Sequence, residues 1–194
     1  MNKQPNNLIL HCHTSGINYN GDVTDGYQII SVAGIVLSPL NKKLSQIEKY
    51  IVFDVKNKWD NKARSIHGFS QDKLKSVGES ENVVYEDFAL FLADHFNIIE
   101  DKIQCIGYNI DTFTLPFIKV FLKDIPIKFS YSNIDLKSLF CLEQNKIVDI
   151  KKFISFFSST HSKQEQPSSI EMCNIFHMAY RYYCSIFSEN QDGN

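Results

Sequence analysis

Residues Cys105–Ile118, CIGYNIDTFTLPFI, decide how the rest of the chain is read. The apolar run Ile103–Gly107 has the length of a buried strand rather than of a helix. Gly107 and Asn109 punctuate it as a turn. Thr112–Leu122 then reads as a helix, with Pro116 in its first turn, where a missing N–H is tolerated. A buried strand thus runs through a tight turn straight into a helix. Upstream, Glu79–Phe96 carries apolar residues at 83, 84, 88, 91, 92 and 96, the stripe of an amphipathic helix. Farther upstream, Leu8–His11 and Tyr27–Leu37 read as consecutive strands, the second stopped by Pro39, and Lys49–Val55 as a third. Downstream, Ser132–Leu142 reads as a short strand entering a helix and Ile150–Phe157 as a further helix. Ser158–Ser169 reads as an exposed polar loop, and a final helix, capped by Ser168 or Ser169, extends to about Phe187. Strands first, then alternating elements, then helices predict one α/β domain over residues 1–194, a mixed central sheet flanked by helices, with a flexible tail at 188–194.

The chain has 194 residues, 43% hydrophobic and 22% charged, a globular composition. Its 20 Lys+Arg against 22 Asp+Glu give a net charge of −2, which excludes a protein that coats nucleic acid by bulk charge. Any basic surface is local, and Lys56, Lys58, Lys62, Arg64, Lys73 and Lys75 fall in one stretch. That stretch is read either as a solvated lysine-bearing loop or as a phosphate contact. Five cysteines without a CxxC pair suggest neither a zinc ribbon nor a disulfide framework. With no leader-like or membrane-spanning run, the expectation is a cytoplasmic protein with no membrane contact. Fifteen Phe and nine Tyr pack a core first and, in excess, offer a surface to a protein partner.

Leu8–Gly16, LILHCHTSG, ends a strand in H-x-H. Strand side chains alternate, so His11 and His13 lie on one face, either as partly solvated polar residues or as metal ligands.

Cys105–Ile118 resembles the second motif of the DnaQ-like (DEDD, ribonuclease H-like) 3′–5′ exonucleases, in the form GYNIxxFDxPYL. Gly107, Tyr108, Asn109, Ile110, Phe113, Leu115, Pro116 and Phe117 match, and Thr114 stands at the catalytic aspartate. LILHCHTSGI is similar to the first motif, an apolar strand followed by DxETTG, with His11 at the aspartate and His13 at the glutamate. IISVAGIVLSP resembles the family's second strand, Ser65–Ser70 its IHGIT stretch, and Ile134-Asp135-Leu136 its VDT strand. FHMAYRYY resembles the third motif, HxAxxDA. There His177 and Ala179 are in register and Tyr182 takes the aspartate position.

The resemblance implies a ribonuclease H-like fold and, for intact members, four carboxylates holding two Mg²⁺ or Mn²⁺ ions beside a histidine base. Here the four positions read His11, His13, Thr114 and Tyr182, and only the base, His177, is kept. Hard divalent cations prefer oxygen donors, so imidazoles replace carboxylates poorly. Asp111 is the only nearby acid in the second motif. The expectation is a catalytically inactive pseudo-exonuclease with no cofactor, serving as a nucleic-acid-binding or scaffolding subunit. A single strand or 3′ end would contact Asn109, Phe113, Lys56, Lys58, Lys62 and Arg64, with Tyr180 or Tyr182 as further stacking rings. Partners would be nucleic acid, a protein of a nucleic-acid-processing complex, or a second copy of the chain. The alternative is an active exonuclease or phosphodiesterase whose site is rebuilt on His11, His13 and His177 around Zn²⁺, or Mn²⁺/Mg²⁺.

Overall fold

A computed structural model describes residues 6–158 and 166–189. In chain order the elements are β1 (Asn7–Thr14), β2 (Ile29–Leu37), β3 (Lys43–Tyr50), α1 (Asn61–His67), α2 (Gln71–Val77), α3 (Glu81–Ala93), β4 (Lys102–Gly107), a π-helical turn (Ile110–Thr114), α4 (Leu115–Phe121), β5 (Lys128–Phe129), β6 (Ile134–Asp135), α5 (Leu136–Glu143), α6 (Ile150–Phe157) and α7 (Ser169–Glu189). The sheet runs β3-β2-β1-β4-β5, and β6 pairs with β4 farther along the same edge as β5. The first three strands are antiparallel, while β1, β4, β5 and β6 are mutually parallel. This is the mixed sheet that the strand-then-alternating order implies.

All nine residues of β2, IISVAGIVL, are buried, as befits a strand covered on both faces. Alternation along β1 sends Leu8, Leu10 and Cys12 into one core, where Val84, Phe88 and Leu92 of α3 and Leu115 and Ile118 of α4 meet them. Ile9 points into the second core, built with Phe140, Phe153, Phe176 and Tyr183 from α5, α6 and α7. His11 and His13 share the face of Ile9, beneath α7.

Four expectations are corrected. The third strand is Lys43–Tyr50, not Lys49–Val55. As an edge strand it is polar and half-exposed, and its register is set by pairing with β2 rather than by its own hydrophobicity. Beyond it, Ile51 makes only a single bridge to Glu79. The Lys56–Lys75 stretch is not one loop but contains α1 and most of α2, capped by the side chains of Asp60 and Ser70. Of the exposed loop expected at 158–169, residues 159–165 lie outside the described residues, while Pro167 and Ser169 are buried. Of the tail expected at 188–194, Ser188 and Glu189 instead close α7, and 190–194 lie outside the described residues.

The strand–turn–helix of the deciding segment is held from below. Gly107 ends β4 so close to β1 that a Cβ there would lie 2.8 Å from the Leu10 carbonyl oxygen. Asn109 follows in the left-handed region (φ 53°). Its N–H donates to Asp135 Oδ1 (2.9 Å), which also accepts from Lys137 N at the start of α5 (3.1 Å). Asn133 Oδ1 accepts from Cys105 N (2.9 Å). Asn133, just before β6, thus holds β4, and Asp135 of β6 holds the turn that leads to α4.

Candidate nucleic-acid interface

The C-terminal ends of the parallel strands β1 and β4 open into a cleft of about 510 Å³, the place where open α/β sheets bind ligands. Its floor is His11, His13 and Met172. One wall comes from α1, with Lys62, Ile66 and His67. The other comes from Asn109, Phe113, Lys137 and the 147–151 segment. The α1 wall is tied to the floor because Asp60 N donates to the Ser15 carbonyl (2.7 Å).

Three imidazoles gather there. The His11 and His13 ring centroids are 4.8 Å apart, and those of His13 and His67 5.7 Å. His11 packs edge-on to Phe176 of α7, and both of its ring nitrogens are buried without a partner. Burial holds its pKa down to about 3. His13 is held well below the usual histidine range by burial and then by the neighbouring imidazoles. Its Nδ1 meets Ser169 Oγ at 3.1 Å, and Ser169 meets Ser31 Oγ at 2.6 Å, a polar chain buried between β1, β2 and α7. Burial, then the nearby Arg64 charge, lowers His67 to about 4. Its Nδ1 accepts from Phe69 N–H (3.0 Å), so in the neutral ring the proton sits on Nε2, which is buried and unpartnered.

The third-motif register is not the one expected. His177 does not join His11 and His13: its Nε2 meets the Asn41 carbonyl (3.1 Å) in the β2–β3 turn. Tyr182 donates to Glu143 of α5 (2.6 Å), away from the cleft. One helical face of α7 (Ser169, Met172, Cys173, Phe176 and Ala179) covers the sheet, and His177 and Tyr182 lie off it. Ser169 and Met172 are the α7 residues beside the histidines. Thr114 is fully buried with its Oγ1 unpartnered, and it does not line the cleft. Asp111 accepts from Asn133 Nδ2 (2.6 Å) and does not line the cleft.

Of the expected nucleic-acid contacts, Asn109, Phe113 and Lys62 line the cleft, and Lys56, Lys58 and Arg64 do not. Lys58 instead lies 5.8 Å over the Tyr27 ring. Tyr180 packs against the second core rather than into the cleft. Sequence reasoning missed Lys137, Lys151, Ser169 and Met172. It read His67 only as part of a resembling stretch. No local pattern in the sequence marks it as a cleft residue.

These donors do not fit a pair of hard divalent cations. The lining carboxylates Asp60 and Asp149 each accept a helix-capping N–H, from Lys62 (2.8 Å) and Lys152 (2.9 Å). His67 would have to shift its proton and lose the Phe69 bond to coordinate through Nε2. Among the described residues no group of three or more His, Cys, Asp or Glu has the geometry to hold a metal ion.

A mixed sheet of this order, a glycine-ended β4 running through a turn into a helix, and a cleft at the ends of β1 and β4 define the class: the fold is that of the DnaQ-like, ribonuclease H-like 3′–5′ exonucleases. In particular, the chain is similar to cell-death related nuclease 4 (TM-score 0.60, 17% identity, 93% of this chain and 65% of that one). It is similar to the nuclease domain of 3′hExo, a DEDDh family member, bound to rAMP (TM-score 0.58, 12% identity, 99% and 94%). It is also similar to E. coli ExoI in a zinc-bound complex with single-stranded DNA (TM-score 0.57, 16% identity, 72% and 30%). The chain thus spans less than two thirds of the first and under a third of the last. No family profile and no curated protein sequence matches it.

Proposed function

We propose that this chain is a pseudo-exonuclease, a cytoplasmic protein that holds a single-stranded nucleic-acid end in its cleft without cutting it. One observation carries the reading: the end of β1, where the resemblance puts two metal-binding carboxylates, bears two imidazoles held neutral by burial. A neutral imidazole offsets none of the charge of two adjacent divalent ions. Binding is supported by the cleft's rings and by Lys62, Lys137 and Lys151 along it. It is also supported by the single-stranded DNA in the ExoI complex and the rAMP in 3′hExo.

The test is a labelled single-stranded DNA and RNA incubated with the protein in Mg²⁺ and in Mn²⁺, read for both anisotropy and length. The expected result is salt-sensitive binding of an oligonucleotide that stays full length. Trimmed products that disappear with His11→Ala and His13→Ala would place catalysis on the histidines and overturn the reading.

A role as a subunit for a protein partner is favoured by a separate observation. Phe156 (52% exposed) packs against Tyr182 of α7, Leu142 of α5 is 79% exposed, and neither lines the cleft. Co-purification that survives loss of oligonucleotide binding would support it.

A further inference from the structure

We infer that the cleft is also a site for a free organic anion with an apolar body, of which a medium-chain carboxylate is the simplest, the chain lying along the floor and the head group on the lysines. This goes beyond the nucleic-acid reading and does not depend on it. The polar groups under the cleft are turned inward. His11 keeps some accessible surface, but its two ring nitrogens are sealed. Nε2 of His67 is sealed too, and its Nδ1 accepts from Phe69 N–H. Nδ1 of His13 meets Ser169 Oγ. Thr14 Oγ1 donates to the Gly16 carbonyl (2.8 Å), and the Tyr108 hydroxyl donates to the Val148 carbonyl (3.0 Å). Polar ligand atoms pressed against such a floor lose their hydrogen bonds to water with little in return, whereas methylenes lose none.

The walls have the same character. Ile17, Ile66, Phe113, Ile147, Ile150 and Ile154 all line the cleft. Ile66 and Ile147 belong to opposite walls and are 53% and 92% exposed. Isoleucines left in water on both sides of one concavity mark a binding site, unlike apolar residues scattered singly over a surface. The volume of about 510 Å³ is that of a small-molecule pocket. Each methylene buried in it is worth about fourfold in affinity. The charge is set for an anion. Lys62, Lys137 and Lys151 line the cleft against Asp60 and Asp149, whose carboxylates already accept capping N–H groups from α1 and α6. With the histidines neutral, three ammoniums against two carboxylates leave a positive excess. Lys62 and Lys151 are themselves exposed, so the carboxylate they bind keeps its water while the chain sheds it.

The experiment titrates the intact protein, its isoleucine δ1 methyls labelled with ¹³C, with decanoate, butyrate, decanol and decyltrimethylammonium. Decanoate is expected to saturate at one per chain and to bind at least 10-fold more tightly than butyrate and than decyltrimethylammonium. It should shift the methyls of Ile66, Ile150 and Ile154 and leave that of Ile118, in the core on the other face of the sheet. Ile66→Glu and Ile147→Glu, at exposed positions that the fold tolerates, should each weaken decanoate at least 5-fold. Lys62→Ala combined with Lys151→Ala should bring decanoate down to the affinity of decanol. No decanoate binding, equal binding of butyrate or of the cationic chain, or an affinity unchanged in both isoleucine variants would overturn the inference. Oligonucleotide binding is read separately by anisotropy. If the oligonucleotide binds and decanoate does not, this inference falls and the nucleic-acid reading stands; the converse result removes the nucleic-acid reading alone.

Discussion

His11 and His67 are the residues whose energetics are easiest to test. Both are neutral in the folded chain, with pKa values held down to about 3 and about 4, against an ordinary value of 6.5. In the unfolded chain each takes up a proton as the pH drops below about 6.5, while the folded chain does not. The unfolded state therefore binds more protons, and stability falls as the pH falls. Above about 7 the two histidines contribute no slope. From about 6.5 downward each costs about 1.4 kcal/mol per pH unit until its folded pKa is reached. Urea unfolding at pH 7, 6 and 5 should show this loss, and His11→Leu should flatten the curve by one histidine's share. A slope unchanged in that variant would mean that His11 is not buried neutral. The first of these residues was visible in the sequence, because H-x-H on a strand puts both rings on one face. His67 was not, because nothing in a local pattern says that Trp59 and Phe69 will enclose a ring at the end of a seven-residue helix.

Elements that bury a continuous apolar run were legible: β2, β4 with its turn into α4, and α6 all lie where periodicity puts them. The edge strand β3 was misplaced because KLSQIEKY is polar and acquires its structure from its neighbour. The third motif was misregistered for a related reason. On a 21-residue helix rich in aromatics, several faces look alike until the sheet selects one. The turn at Gly107–Asn109 depends on its glycine and on the β6 clasp, and both can be tested. Gly107→Ala drives a methyl against the Leu10 carbonyl and is expected to cost about 1–3 kcal/mol in urea denaturation. Asp135→Ala removes the α5 cap and the acceptor for Asn109 N–H, for a loss of about 2 kcal/mol. Asp135→Asn keeps an oxygen in place and should lose less than half of that. Equal losses for the two variants would mean that the charge, not the hydrogen bonds, holds the turn.

Over the whole molecule, a net charge of −2 conceals a division of labour among the cations. Lys62, Lys137 and Lys151 line the cleft, whereas Lys56, Lys58 and Arg64 do not. Replacing the first three with Ala should lower the slope of log affinity against log salt for a single strand by about 2. Replacing the second three should leave it nearly unchanged. The reverse outcome would move the binding surface to the one that carries Lys56, Lys58 and Arg64. Of the cleft lysines, sequence proximity singles out only Lys62, because Lys137 and Lys151 reach the cleft only through the folding of α5 and α6 onto the sheet. The enclosure of His11 also governs how the cleft could evolve. A carboxylate installed there alone would sit with its oxygens sealed beside Phe176 and His13, at a cost of about 3–5 kcal/mol for an unpaired buried charge, or it would stay protonated. A single acidic substitution at His11 is thus penalised on stability alone. The packing therefore admits a charge at this position only together with a partner that neutralises it, so single acidic changes there are filtered by stability before any effect on chemistry is felt.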